Sequence, residues 1–257
     1  MPITPAQIAS LRARTGVGVL AVKAALEEAN GDEEKAIEIL RKKGQAQAVK
    51  KAEREQGEGG IFIASKGSKT ALVFVRCETD FVARSDNFVA LGQALADHLL
   101  SDGDAGLKKF ADERIPKAVL EFGENISIGE SHLIEAPVMG SYVHSNRKIG
   151  VIVGLDGGDA SKATDAAMHA AAMNPQVVSP NEISDDAVVK EREIWKEQLS
   201  KEGKPADIQE KIMAGKEKKF REENALHSQP FVKDPSQTVE KMLGGAKVTK
   251  YVRVSLS

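Results

Sequence analysis

Along the first 44 residues, apolar positions recur at helical spacing between residues that start and stop helices. Thr4 precedes Pro5 and lies three residues before Gln7, so hydroxyl and amide can each satisfy a backbone donor at a helix start. Ile8 and Leu11 mark the inner stripe of that helix, and Thr15-Gly16 stops it. Val19, Val22 and Leu26 predict the inner face of a second helix, closed by Asn30-Gly31. Asp32 is placed to cap a third, with Ala36, Ile37 and Leu40 inside and Gly44 as its expected end. Three helices of this length, about ten residues each, bury only a marginal core. Such a unit suits docking better than catalysis. Residues 45–58 are polar and charged and predict a linker, partly helical.

At Gly59-Gly60 the period changes, and from there one plan occurs twice along the chain. Gly60-Ile61-Phe62-Ile63 leads through a turn at Lys66-Gly67-Ser68 to a strand over 70–77, then a helix over roughly 81–100 and a strand over 125–134. Later, Gly140-Ser141-Tyr142-Val143-His144 leads through Ser145-Asn146-Arg147 to a strand over 149–155. A helix over about 162–173 comes next, and a last strand over 247–255, where Val248, Tyr251, Val252 and Val254 alternate with one slip. Both halves read hairpin, helix, late strand. The expected class is α+β: a three-helix module, then two related subdomains, each an antiparallel sheet backed by a helix. The expected divisions are 1–44, 45–58, 59–137 and 138–257.

The second half carries an insertion over 185–224, densely charged with alternating signs. Val188, Trp195 and Leu199 are spaced seven and four apart. After Gly203-Lys204-Pro205, Ile208, Ile212, Met213 and Phe220 continue the pattern. This predicts an antiparallel helical hairpin, a coiled coil with one narrow apolar seam. A plain surface pair and a protruding docking arm both fit.

Composition narrows the function. Hydrophobic residues make up 41% and charged residues 29%, as in ordinary soluble domains. No secretory signal follows Met1, and the run Ala71-Leu72-Val73-Phe74-Val75 is too short to span a bilayer. A single cysteine, Cys77, excludes an internal disulfide and predicts a reducing, cytoplasmic setting. The net charge of −2 and 4% aromatics argue against nucleic acid as the main partner. Lys50-Lys51 with Arg54 is interrupted by Glu53 and Glu55 and reads as a solvated face.

Catalytic motifs are not found. His98, His132, His144, His169 and His227 lack metal-ligand spacing, and His98 and His169 read as packed or capping side chains. No serine sits in a nucleophile elbow. Gly67-Ser68-Lys69-Thr70 resembles a phosphate loop by eye, but Ser68 splits the Gly-Lys pair and a strand comes after it. Cys77 lies on a predicted strand without a paired histidine and is expected to be buried. No catalytic residue, metal ligand or cofactor site is assigned.

One segment stands out: Glu78-Thr79-Asp80-Phe81-Val82-Ala83-Arg84, where the first core strand hands over to its helix. On the residues alone the preferred account is structural. Thr79 caps the helix, Asp80 faces its dipole, and Phe81 packs into the core. The alternative is that Asp80-Phe81 stand out from the turn as a wedge for a partner.

Thr79-Asp80-Phe81-Val82-Ala83-Arg84 resembles a signature of the bacterial elongation factor Ts family, nucleotide-exchange factors of the GTPase elongation factor Tu. Leu11-Arg12-Ala13-Arg14-Thr15-Gly16-Val17-Gly18, Asn30-Gly31-Asp32, Gly123-Glu124-Asn125-Ile126, Gly140-Ser141-Tyr142 with His144, and Gln229-Pro230-Phe231-Val232 resemble the family in the same order. The resemblance implies a ubiquitin-associated-like amino-terminal module, two related core subdomains and a coiled-coil arm. It implies partner contacts at Thr79, Asp80, Phe81 and Val82, with Phe81 a wedge near the partner's magnesium site, and further contacts at Lys23, Gly123, His144 and Val232. A dimer of the complex is left open, and a nucleic-acid-binding translation or ribosome-associated factor is the alternative function. Family members commonly carry Met-Met-Asp-Cys-Lys where this chain has Val19-Leu20-Ala21-Val22-Lys23. A further carboxy-terminal helix seen in many members is expected to be absent after Ser257.

Overall fold

The computed structural model describes residues 3–201 and 205–256. The chain opens with helices α1 (Pro5–Thr15), α2 (Val19–Glu28) and α3 (Glu33–Lys51). The reciprocal Thr4–Gln7 cap is formed, and Gly16 ends α1 in the left-handed region at φ 72°. Leu11, Val22, Ala25, Leu26, Ala36 and Leu40 form a small core. Val19, expected inside with Val22 and Leu26, is 46% exposed. It is the first residue of α2, at the edge of the apolar stripe.

Gly44 does not end α3. The helix continues through it to Lys51, so much of the expected linker is helical. Gly44 is there for contact. A Cβ on it would lie 2.7 Å from the Pro116 carbonyl oxygen, on the helix crossing α3. The missing side chain lets two backbones meet.

The first core half is strands β1 (Glu58–Lys66), β2 (Lys69–Cys77) and β3 (Ser127–Glu135), with helices α4 (Asp80–Ala83) and α5 (Asp86–Phe122) between β2 and β3. The single helix expected over 81–100 is therefore two. Ser85 interrupts it and caps α5, accepting from the Phe88 N–H, and α5 runs on to Phe122 through a kink at Gly103. The second half is β4 (Val138–Val143), β5 (Ile149–Leu155), α6 (Ala160–Met173) and, much later, β8 (Val248–Ser255). Sheet orders β1-β2-β3 and β4-β5-β8, both antiparallel, repeat one plan. The slip read before Tyr251 is a bulge: Gly154 pairs with Lys250 while Leu155 pairs with Val248.

The layers are helix, sheet, sheet, helix. Phe62, Val73 and Val75 face α5, whereas Ile61, Leu72 and Phe74 meet Ile152 and Val254 of the other sheet. On β5, Val151, Val153 and Leu155 face α6. Burial on both faces explains why β2 and β5 read as unbroken apolar runs rather than alternating ones.

Between α6 and β8 lie α7 (Asp185–Ser200), α8 (Ala206–Glu223), β6 (Pro230–Phe231), β7 (Asp234–Thr238) and α9 (Val239–Leu243). The pair α7 and α8 forms the predicted hairpin, with Val188, Trp195 and Leu199 buried and Trp195 edge-on to Phe220. Gly203 and Lys204 lie outside the described residues. The small β6–β7 ribbon and α9 were not expected from the sequence. They close the second core with Phe231, Val239, Met242 and Leu243.

Candidate functional site

The strand-to-helix turn after β2 is built by its caps. Thr79 keeps extended backbone and accepts from the Val82 N–H at 3.4 Å, starting α4. Asp80 sits in the first helical turn and pairs with Arg84 at 3.1 Å. The Arg84 N–H donates to the Asp80 carbonyl, and the Ser85 N–H to that of Val82. Val82 and Ala83 pack partly against the first core. That leaves Phe81 pointing out, 83% exposed. The expectation that Phe81 packs into the core is thus corrected. In so short a helix the inward positions are taken by Val82 and Ala83.

A cleft of about 390 Å³ opens beside the turn, lined by Asp80, Ala83 and Arg84 on one side and by Ser145, Asn146, Arg147 and Lys148 on the other. The β4–β5 turn of the second half therefore reaches the α4 turn of the first. It is anchored there by an Ile61 N–H bond to the Arg147 carbonyl, by Lys148 on Glu58 at 2.9 Å, and by Arg147 over the Phe62 ring. His144, just before this turn, is exposed and bonded through Nδ1 to the Tyr142 hydroxyl at 3.0 Å.

The remaining predicted positions are spread over the molecule. Gly123 is exposed and terminates α5 at φ 74°, its carbonyl accepting from Lys51 Nζ. Lys23 is exposed on α2, 3.7 Å from Glu27, with Leu20 nearby 84% exposed. Val232 is half-exposed, and its N–H donates to Nδ1 of buried His169 at 3.1 Å. His169 Nε2 must then carry the proton, which it donates to the Gln229 side-chain oxygen at 2.9 Å. Burial holds the His169 pKa below its ordinary value, against the smaller opposing effect of the Gln229 bond. His98, its counterpart on α5, instead stacks on Phe110 and pairs with Asp102.

Cys77 is fully buried, and burial, reinforced by the charges of Glu124 and Glu58, pushes its thiol up to about 12. It is no nucleophile at neutral pH. Among the described residues, no three His, Cys, Asp or Glu side chains gather at metal-binding geometry. No helix among them is long and apolar enough to cross a membrane. What the turn offers is a large apolar side chain held in solvent at the start of a short, capped helix.

Comparison with known proteins agrees over almost the entire chain. A family model described as elongation factor TS matches residues 78–257. The elongation factor Ts of Aeromonas salmonicida is 43% identical, across 98% of this chain and 89% of the relative. That of Alcanivorax borkumensis is 43% identical across 96% and 92%. That of Deinococcus deserti is 42% identical across 97% and 98%. With a family model over residues 78–257 and relatives 42–43% identical over nearly all of its length, the chain belongs to the elongation factor Ts family.

Proposed function

We propose that this protein is a guanine nucleotide exchange factor: it binds elongation factor Tu in the cytoplasm and speeds GDP release during translation elongation, without catalysing a chemical step of its own. The observation that carries the reading is Phe81, a large apolar side chain left 83% exposed on a capped turn.

A GTPase holds its nucleotide through a phosphate-binding loop and a bridging magnesium ion. An exchange factor binds the nucleotide-free form more tightly, and by reciprocity weakens nucleotide by the factor by which nucleotide weakens it. A thousandfold effect requires about 4 kcal/mol of coupling. Burying one phenylalanine supplies about 1.5–3 kcal/mol. Phe81 therefore works with other contacts. In this reading Phe81 is the wedge near the magnesium site, with Thr79, Asp80 and Val82 forming its mount. Lys23, Gly123, His144 and Val232 grip elsewhere.

The test is release of labelled GDP from elongation factor Tu with and without the purified chain. Acceleration at catalytic amounts is expected. An unchanged release rate, with the chain shown to be folded, would rule the reading out.

A further inference from the structure

Cross-strand pairing between β2 and β3 ends at Arg76, opposite Ser127. The N–H groups of Glu78 and Thr79 lie beyond that ladder and need another acceptor. Glu124 supplies it. One carboxylate oxygen accepts from both N–H groups, at 2.9 and 3.1 Å, and the other accepts from the Thr79 hydroxyl at 2.5 Å. The hydroxyl proton is thereby committed to Glu124, which leaves an oxygen lone pair for the Val82 N–H, the bond that starts α4. The arrangement is mutual, since the Glu78 carboxylate accepts from the Asn125 N–H at 2.6 Å.

Glu124 is itself fixed from behind. Gly123, in the left-handed region, ends α5 and receives Lys51 from the end of α3. Buried Asn125 donates its amide to the carbonyls of Ala52 and Arg54 at 3.3 and 3.1 Å. In contrast, α4 has four residues and none is fully buried. A helix that short does not hold itself. Its direction is set by what grips its ends, and at the leading end that grip is the Glu124 carboxylate, through charge-assisted bonds.

We infer that Glu124 is a positioning residue for exchange: its carboxylate orients the Thr79–Asp80–Phe81 turn and so sets the angle at which the Phe81 ring meets the partner. The inference rests on the exchange reading above and gives Glu124 a role that needs no contact with the partner.

The test is a double-mutant cycle on catalysed GDP release with the full chain: parent, Phe81→Ala, Glu124→Ala and the double variant, each checked by thermal melt. Amide hydrogen exchange at Glu78 and Thr79 is read alongside. Glu124→Ala is expected to lower the rate at saturating factor about tenfold and to strip protection from both amides. In the Phe81→Ala background it is expected to have no further effect, because it acts through the same ring. Glu124→Gln keeps one carbonyl acceptor and should give an intermediate rate with the same non-additivity. It carries the cycle if the alanine variant does not fold. A normal rate for the Glu124 variants beside an impaired Phe81→Ala overturns the positioning role and leaves the exchange reading intact. Additive losses in the double variant also overturn it, since Glu124 would then act by its own contact or through general stability. A parent chain that fails to accelerate release removes the exchange reading and this inference together.

Discussion

The two core halves share one plan and differ at the point where strand hands over to helix. In the first, β2 passes through Glu78 and Thr79 into α4, which holds Phe81 in solvent before α5 begins. In the second, β5 passes through Asp156-Gly157-Gly158 to Asp159, whose carboxylate accepts from the Ser161 N–H at 2.8 Å and caps α6 directly. No aromatic residue stands there. Both handovers join a strand to a well-capped helix, so the fold does not require Phe81. The first half carries an addition to a scaffold that the second half shows to be complete without it.

The halves also space helix from sheet by opposite means. Between α5 and its sheet lies the ring of Phe62, with Gly92 making room: a Cβ there would come within 2.1 Å of the ring. Leu91, Leu95 and Leu99 fill the rest. In the second half α6 presents Ala163, Ala166, Ala167 and Ala170 and lies close on β4, where a Cβ at Gly140 would fall 2.1 Å from the Ala163 carbonyl carbon.

The largest effects should come from reversing that spacing. Phe62→Ala empties the first gap and should cost about 3–5 kcal/mol. Gly140→Val overfills the second against backbone and should cost about 3 kcal/mol. Urea midpoints measure both. A Gly140→Val protein as stable as the parent would mean that α6 is free to move away, and the contrast would fall. Next, Phe81→Ala should leave the melt near the parent's while slowing catalysed GDP release at least about tenfold, equivalent to about 1.4 kcal/mol. A large drop in melting temperature would instead place Phe81 among the core residues.

Alkali separates the halves more gently. The Cys77 thiol of the first half and the Tyr251 hydroxyl of the second are both pushed up to about 12, in each case chiefly by burial. Unfolding restores the ordinary values of 9.0 and 10.0. Above those values the unfolded chain has lost protons that the folded chain keeps, so stability falls as pH rises. Cys77 contributes from about pH 9 upward, on the order of 1 kcal/mol one unit higher. Cys77→Ala should flatten the loss between about pH 8 and about pH 10, measured as urea midpoints. An equally steep loss in the variant would assign the alkaline sensitivity elsewhere. The smallest expected effect sharpens the handover comparison most. Asp159→Ala should lower stability slightly as a lost cap and leave GDP exchange unchanged. Slowed exchange in that variant would bring the second handover into the proposed exchange surface.

Much of this was legible in the sequence because it is local. The Thr4–Gln7 cap, the two hairpins, the seam through Val188, Trp195 and Leu199, and the burial of Cys77 all follow from spacing and cap chemistry. What was misread depends on distant neighbours. Gly44 looks like a helix stop, but it is small because Pro116 crosses it. Phe81 on its own suits a core as well as a surface, and only the inward turn of Val82 and Ala83 excludes it. Glu124 falls within the Gly123–Ile126 segment that resembles the family, but nothing local pairs it with Glu78 and Thr79, 46 and 45 residues earlier in the chain.

The chain has one tryptophan, and it lies in the hairpin seam, 9% exposed and edge-on to Phe220 with ring centres 5.9 Å apart. Intrinsic fluorescence excited at the indole is therefore a local voltmeter for the arm, silent about both sheets. Circular dichroism, summed over all helices, is dominated by the rest of the chain. If α7 and α8 part before the core melts, the two signals will trace different denaturation curves from a single sample, and the gap between their midpoints will measure how independently the arm stands.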